Sequence, residues 1–262
     1  MPLVKACLLP HSPLLIPEIG RSNHAFLQKT LAAYQQIKSE LVAAQVETLV
    51  IISPHGNLQE DSFIINCAPE MEINFQDFGF IPPKTIVKGD VPLADQLKTQ
   101  LKTDLPLRSL SQINLDHGSA IPLYLLDGFK SVIVSPAEKL DLATHLEFGK
   151  KIGAVLANSP KKIGLIASGD LSHRLKRSAP GGYSPKGPKF DNKLIEYLSE
   201  PETAEENILK LDQRLILDAS ECGLKPIVVL LGAMSELTWE PDILAYQTDF
   251  GVGYLSIDFQ LK

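Results

Sequence analysis

Two histidines stand in the same local setting at widely separated points of the chain. His11 follows Pro10 and His55 follows Pro54, and each Pro-His pair ends a run rich in Leu, Val and Ile. Proline fixes φ and has no amide donor, so both imidazoles would be presented in similar, rigid geometry. Imidazole is the commonest metal-binding side chain in proteins. The repeated pattern predicts that His11 and His55 bind a divalent metal, with a further ligand drawn from the acids of the C-terminal part.

Two other histidines also lie where a site is expected. His173 follows the apolar run 162–167 by a few residues, and His117 opens a helical segment within Asp116-His117-Gly118. Ligand sites in open α/β sheets lie beyond the carboxyl ends of the strands. A site with two imidazole ligands and a carboxylate ligand suits Fe(II), Zn(II) or Mn(II). The remaining two, His24 and His145, fall on predicted helices and are given no role.

Apolar runs and helical periods alternate along the chain, as expected of strands and helices that position these side chains. Strands are predicted at 3–9, 48–53, 62–67, 85–88, 131–135, 162–167, 243–248 and 253–259. Helices are predicted around 27–41 and at 92–103, 120–129, 140–157, 190–198, 203–211 and 226–234. This alternation predicts a single α/β domain over residues 1–262, with a central mostly parallel or mixed sheet and helices on both faces. His11 and His55 would then follow two neighbouring strands.

Composition limits the classes of partner. The 262 residues are 44% hydrophobic and 21% charged, with a net charge of −6. That balance is typical of a globular protein and argues against a general nucleic-acid surface. No apolar stretch approaches the length of a membrane helix, and Lys5 interrupts the N-terminal apolar run, so no signal peptide is expected. The three cysteines are far apart, which favours a cytoplasmic protein without disulfides.

The segment 174–188 contains three Pro and three Gly and is predicted to be a long loop. It could act as a lid carrying Lys176, Arg177, Tyr183 and Lys186 over the site, where the basic residues would suit an acidic aromatic substrate. A solvated connector is the other interpretation, and it is slightly preferred.

Five short motifs, in order, resemble one family. They are Pro10-His-Ser-Pro13, Ser53-Pro-His-Gly56, Asp116-His-Gly118, Ser168-Gly-Asp-Leu-Ser-His173, and Glu221-Cys-Gly-Leu-Lys-Pro226 leading into Leu230-Leu-Gly-Ala233. The set resembles the catalytic B subunit of class III extradiol ring-cleavage dioxygenases, the LigB-like superfamily, and within it the stand-alone members and their Memo-like relatives. The resemblance covers nearly the whole chain.

This resemblance implies a non-haem Fe(II) site with a role for each motif residue. His11 and His55 match the two histidine ligands and Glu221 matches the carboxylate ligand. His173 matches the acid/base histidine, and His117 matches a histidine near substrate and O₂. The implied reaction opens a catechol-type ring with O₂, and homo-oligomers are common among such proteins. Asp116 and Asp170 would either orient histidines or serve as turn and capping acids.

Two features leave alternatives open. Glu236 and Glu240 lie in the same region as Glu221 but are expected on a solvated helix end and a turn. Cys222 stands where a Memo-like relative has a cysteine, and a thiolate ligand would favour zinc or copper. The competing hypotheses are therefore an Fe(II) extradiol dioxygenase, a Memo-like metal-binding or redox-regulatory module that is not an enzyme, and a zinc hydrolase using His11, His55 and Glu221.

Overall fold

The computed structural model describes residues 2–262. Ten strands form an eight-stranded sheet and a separate two-stranded hairpin. The strands are β1 (Leu3–Leu9), β2 (Thr48–Ile52), β3 (Phe63–Asn66), β4 (Glu70–Phe75), β5 (Phe80–Lys88), β6 (Leu107–Leu110), β7 (Lys130–Ser135), β8 (Ile163–Ser168), β9 (Trp239–Gln247) and β10 (Tyr254–Leu261). The helices are α1 (Pro17–Gly20), α2 (Gln28–Ala43), α3 (Val91–Leu101), α4 (His117–Leu125), α5 (Leu142–Ala157), α6 (Lys186–Leu198), α7 (Ala204–Leu209), α8 (Gln213–Ala219) and α9 (Leu224–Ala233).

The large sheet is mixed, with order β6-β3-β7-β2-β8-β1-β10-β9. Its four central strands, β7, β2, β8 and β1, are parallel, whereas β10 and β9 are added antiparallel at one edge. The predicted fold class is thus confirmed. The prediction that the strands before His11 and His55 are neighbours is wrong, because β8 pairs with both and lies between them. Crossover connections decide this order, and the strand sequences do not encode it.

Helices cover both faces of the sheet because the central strands are apolar on both sides. Along β2, Val50 and Ile52 pack into one core cluster and Leu49 and Ile51 into the other. Side chains alternate across a strand, so a continuously apolar run requires cover on each face. The first cluster contains side chains of α3, α5, α6 and α9, and the second those of α2, α4 and the β4–β5 hairpin.

Several element boundaries differ from the sequence prediction. The helix predicted from 120 begins at His117, because the Asp116 carboxylate accepts the Ser119 amide and caps the helix. α6 begins at Lys186, inside the segment predicted as a loop to 188, since Pro188 in the first turn is compatible with a helix. Among residues 2–262, no helix is long and apolar enough to span a membrane.

The parallel strands end at one edge of the sheet, and the sequence motifs meet there. His11 follows β1, His55 follows β2, and Ser168 to Asp170 leave β8 between them. His117 begins α4 at the same edge, where its ring lies beside those of His11 and His55. The topology therefore converts motifs that are far apart in sequence into one compact group.

Candidate metal centre

Three potential metal ligands converge at this edge of the sheet. In the part of the chain that the structure describes, the group of ligand atoms lying within 4.8 Å of one another belongs to His11, His55 and Cys222. The two Nε2 atoms are 3.1 Å apart, and Cys222 Sγ lies 3.4 Å from His11 Nε2. Ligand nitrogens about 2.0–2.1 Å from a shared ion are themselves roughly 3 Å apart. The donor set therefore fits a divalent metal ion.

His11 is held by hydrogen bonds on its backbone and its ring. Its amide donates to Asp170 Oδ1 at 3.0 Å, and its Nδ1 lies 2.9 Å from Ser168 Oγ. The Ser168 hydroxyl donates to Gly118 O at 2.6 Å, so it can only accept from His11. We infer that Nδ1 of His11 carries the proton, which leaves the Nε2 lone pair directed toward His55 and Cys222. A hydrogen bond on the far nitrogen is the usual way in which a protein orients a metal-binding imidazole.

His55 is positioned through the first turn of α4. Ser53 Oγ accepts the His55 amide at 3.3 Å and donates to Asp116 Oδ1 at 2.6 Å. The same carboxylate caps α4 through Ser119. Gly118 has no room for a side chain, since an added Cβ would lie 2.6 Å from Ser53 Oγ. Asp116 therefore caps α4, one of the two roles predicted for it, and holds the loop that carries His55 through Ser53.

Cys222 is fixed by pairing between two loops. Its amide donates to Asp170 O at 3.2 Å, and the Asp170 amide donates to Cys222 Sγ at 3.4 Å. Beside them Gly169 and Gly223 touch backbone to backbone, because a Cβ on Gly169 would lie 2.3 Å from Gly223 Cα. These contacts direct the sulfur of Cys222 toward His11.

Glu221 points to different partners from its neighbour Cys222. Its carboxylate accepts the Leu224 amide at 2.6 Å at the start of α9 and lines a surface cleft with Leu224 and Lys225. Burial raises the pKa of Glu221 to about 7, against the lowering effect of that amide and of Lys225. The role of Glu221 as a metal ligand stays a prediction.

His117 and His173 lie around the three converging ligands. The His117 ring stacks on His55 with centroids 4.2 Å apart and meets His11 edge-on at 5.3 Å. Charge on His173 acts on the pKa of His11, His55 and Asp170, which places it within electrostatic range of the site. Its Nδ1 is buried without a hydrogen-bond partner among residues 2–262. Their predicted catalytic roles stay predictions.

Burial sets the protonation of the group. It lowers the pKa of His11 well below the usual range, an effect that the neighbouring imidazoles reinforce. Burial, followed by His11 and His117, lowers the pKa of His55 to about 3. Neutral imidazole is the form that binds metal. Burial also raises the pKa of the Cys222 thiol well above its usual value, so the sulfur would lose its proton only on binding an ion.

Sequence reasoning missed one aromatic residue at the site. Phe78 lies in the turn between β4 and β5, and its ring meets His117 edge-on at 5.6 Å. Its side chain is 37% exposed, which is unusual for a phenylalanine beside a polar cluster. A signal could have located the turn that carries it, because Glu70-Met-Glu-Ile-Asn-Phe75 alternates polar and apolar residues and so indicates a strand ending just before Phe78.

The loop that carries His173 is anchored by a buried acid of α6. Asp191 accepts the Ser172 amide at 2.9 Å and the Tyr246 hydroxyl at 2.7 Å. Burial raises the pKa of Asp191 to about 6, although both hydrogen bonds lower it. The carboxylate therefore holds a proton in the folded chain at pH values where the unfolded chain has lost it.

This anchor predicts a pH-dependent stability. Because the folded pKa of Asp191 exceeds the unfolded value of about 3.9, stability should decline as pH rises from about 4 to above 6. Asp191→Asn should reduce that decline by about 2 kcal/mol, measured by urea unfolding at pH 4 and pH 7.5. An unchanged pH dependence in the variant would show that Asp191 does not titrate in this range. Asp212→Asn, at an exposed helix cap, is the control.

Comparisons with known proteins agree with this architecture. The crystal structure of the uncharacterized protein JW3007 from Escherichia coli K12 has the same fold, with a TM-score of 0.69, 20% identity and coverage of 97% of this chain and 99% of that one. Protein CA_C1420 of Clostridium acetobutylicum is 29% identical over 94% of this chain, which spans only 55% of that protein's length.

One more distant relative is named for its activity. The Escherichia coli 3,4-dihydroxyphenylacetate 2,3-dioxygenase is 24% identical over 208 residues, covering 74% of this chain and 75% of the enzyme. The profile of the family described as the catalytic LigB subunit of aromatic ring-opening dioxygenase matches residues 5–256. On that match over nearly its whole length, the chain belongs to the family of LigB catalytic subunits of aromatic ring-opening dioxygenases.

Proposed function

We propose that the chain is a metal-dependent dioxygenase that opens a catechol-type ring with O₂, using an ion held by His11, His55 and Cys222. The convergence of these three ligands at the strand ends, in a chain of the LigB family, is the observation that carries the proposal. Fe(II) is the ion that the family resemblance implies, and Zn(II) is the alternative. A bound ion would lower the pKa of a coordinated hydroxyl and supply open positions for substrate and oxygen.

The protein's own groups provide the remaining functions. His173, whose charge acts on the pKa of His11, His55 and Asp170, would accept the proton of a substrate hydroxyl. His117 and Phe78 form an aromatic wall beside the ligands, against which a ring would pack edge to face or in parallel. Asp170 holds the His11 backbone by accepting its amide, and burial raises the pKa of this carboxyl above its usual range.

The deciding experiment loads the protein with Fe(II) under anaerobic conditions. A catechol panel that includes 3,4-dihydroxyphenylacetate is then screened for the yellow ring-opened product and for O₂ uptake. We expect one O₂ consumed per ring opened, since both oxygen atoms enter the product. Iron binding without turnover on any catechol would refute the dioxygenase function while leaving the metal site in place. Unchanged metal content in both His11→Ala and His55→Ala would refute the metal site itself.

A second candidate is a Memo-like metal-binding or redox-regulatory module that is not an enzyme. The observation in its favour is the sulfur of Cys222 in the ligand cluster, because thiolate ligands favour zinc or copper over the oxygen-activating iron site with two histidines and a carboxylate. Zinc or copper in the protein as purified, with no catechol turnover, would support it.

The aromatic wall predicts a substrate effect of Phe78. Phe78→Ala should raise KM for a catechol about fivefold with a smaller change in kcat, because an aromatic pair contributes about 1 kcal/mol beyond its buried area. Ile81→Ala, an exposed apolar truncation on the same hairpin, is the matched control. Steady-state kinetics on both variants provide the test, and equal effects would exclude a contact between Phe78 and substrate.

The proposal also covers the oligomeric state and the cellular location of the protein. A homo-oligomer is expected from the family resemblance and is tested by light scattering on the eluting protein. All three cysteines are free, which suits the reducing cytoplasm.

A further inference from the structure

A cleft of about 400 Å³ between α6 and the α7–α8 segment is lined by five cationic side chains. We call it the basic cleft, and its cations are Lys186, Lys189, Lys193, Lys210 and Arg214. The chain carries a net charge of −6, so this grouping runs against its general composition. None of these residues belongs to the metal centre.

The fold places the cations of α6 together on the face of the helix that lines the cleft. Lys186, Lys189 and Lys193 recur at spacings of three and four and therefore share one face of the helix. The opposite face is anchored in the core, where Phe190 and Leu194 are fully buried. The like charges are consequently held close together, an arrangement that costs free energy in the absence of an anion.

Acidic side chains neutralise only part of this charge. Lys186 pairs with Asp218 at 2.5 Å, and Lys210 pairs with Glu206. Among the ion pairs within residues 2–262, none includes Lys189, Lys193 or Arg214.

The single acid lining the basic cleft, Asp212, does not offset this excess. Its Oδ1 accepts the backbone amides of Arg214 and Leu215 at the start of α8. Lys186 and Arg214 also act on this carboxylate electrostatically, but Asp212, Asp218 and Glu206 are three acids against five cations, so the cleft keeps a net positive charge.

We propose that the basic cleft binds a small anion with two or more phosphate groups, such as pyrophosphate or a nucleoside diphosphate. Several cations around one concavity match several charges on one ligand. Leu211, Leu215 and Tyr197 complete the lining, and the Tyr197 hydroxyl accepts Lys193 Nζ at 2.9 Å. The volume is in the range of small-ligand pockets. The acidic balance of the rest of the chain disfavours an extended nucleic acid.

Calorimetric titration of the full chain with pyrophosphate, ADP and orthophosphate, at fixed ionic strength, tests this inference. We expect pyrophosphate and ADP to bind at least tenfold more tightly than orthophosphate. The double variant Lys189→Glu/Arg214→Glu should weaken pyrophosphate at least tenfold. Lys84→Glu/Lys102→Glu makes the same change of charge at exposed positions elsewhere and should have a much smaller effect.

Each other outcome overturns the inference. No pyrophosphate binding to the wild-type chain, or equal losses in the two double variants, would show that the cleft is not a site. Tighter binding of a single-stranded oligonucleotide than of pyrophosphate would identify a nucleic-acid surface instead. Circular dichroism and metal content of both double variants establish that the fold and the metal centre are intact. Pyrophosphate that binds to a metal ion instead of the basic cleft would then bind equally to the two variants.

Discussion

Replacing Cys222 with alanine is expected to lower the affinity for a divalent metal by at least 100-fold. The sulfur lies 3.4 Å from His11 Nε2, and its removal leaves two imidazoles as ligands. Loss of groups that merely orient ligands already costs about 10- to 100-fold, so loss of a ligand should cost more. Competition against a coloured chelator measures the affinity. In the cobalt-substituted protein, the Cys222→Ala variant should also lack the thiolate-to-metal charge-transfer band that the wild type shows.

Two further variants make this prediction decisive. Cys67→Ala removes another half-buried free thiol and should leave affinity and band unchanged. Glu221→Gln tests the alternative ligand next in sequence and should retain the band, with affinity within about tenfold of wild type. If Glu221→Gln releases the metal while Cys222→Ala retains it, the carboxylate is the third ligand and the ligand set proposed here is wrong.

The second large effect concerns the fold, at the ion pair between the buried Asp90 and the half-buried Lys161. The Asp90 side chain is 1% exposed, accepts Lys161 Nζ at 2.5 Å and Thr48 Oγ1 at 2.6 Å, and caps α3 through the Leu93 amide. Lys161→Met would leave this carboxylate buried without its cation. Because Asp90 keeps its hydrogen bonds to Thr48 and Leu93, we expect a loss of about 2–3 kcal/mol in the free energy of unfolding, measured with urea at pH 7. Lys162→Met, at the exposed neighbouring position, should cost less than about 0.5 kcal/mol.

The same pair predicts a dependence on pH. Burial alone would raise the pKa of Asp90, but the hydrogen bonds from Lys161 and Thr48 lower it below the ordinary value. A lowered folded pKa gives stability that is present above the unfolded value of about 3.9 and lost as pH falls through the folded value. The difference between wild type and Lys161→Met should therefore shrink below about pH 4. A constant difference would mean that the pair is not ionic.

The sequence predicts those parts of the fold whose side chains carry a strong periodic signal. β1, β2 and α5 were predicted within two residues of their observed bounds, because their apolar residues are continuous or recur at helical spacing. β4 and β6 were not predicted. β6 is short and half polar, whereas β4 carries a usable signal, because Glu70-Met-Glu-Ile-Asn-Phe75 alternates polar and apolar residues as a half-buried strand does. The order of the strands in the sheet could not be predicted either. The placement of β8 between β1 and β2 depends on how the helices of the crossover connections pack against the sheet.

At the candidate site, the residues that take part were easier to predict than the directions in which their side chains point. The Pro-His motifs led to His11 and His55, whose ring nitrogens the structure brings to 3.1 Å. Glu221 and Cys222 are adjacent in an irregular loop, so one residue of difference decides which side chain faces the histidines. Hydrogen bonds between that loop and Asp170 determine the direction, and such tertiary contacts leave no local pattern in sequence.

The three ligands come from chain positions 11, 55 and 222, and the last is separated from the first by 211 residues. An ion bound to all three would act as a cross-link that exists only in the folded chain, since the unfolded chain has no such preformed set. Its binding free energy would then add to folding, by about 4 kcal/mol when the free ion is at 1,000 times its dissociation constant. Cells short of the metal would thus hold less of this protein, because its abundance would follow the metal supply through stability.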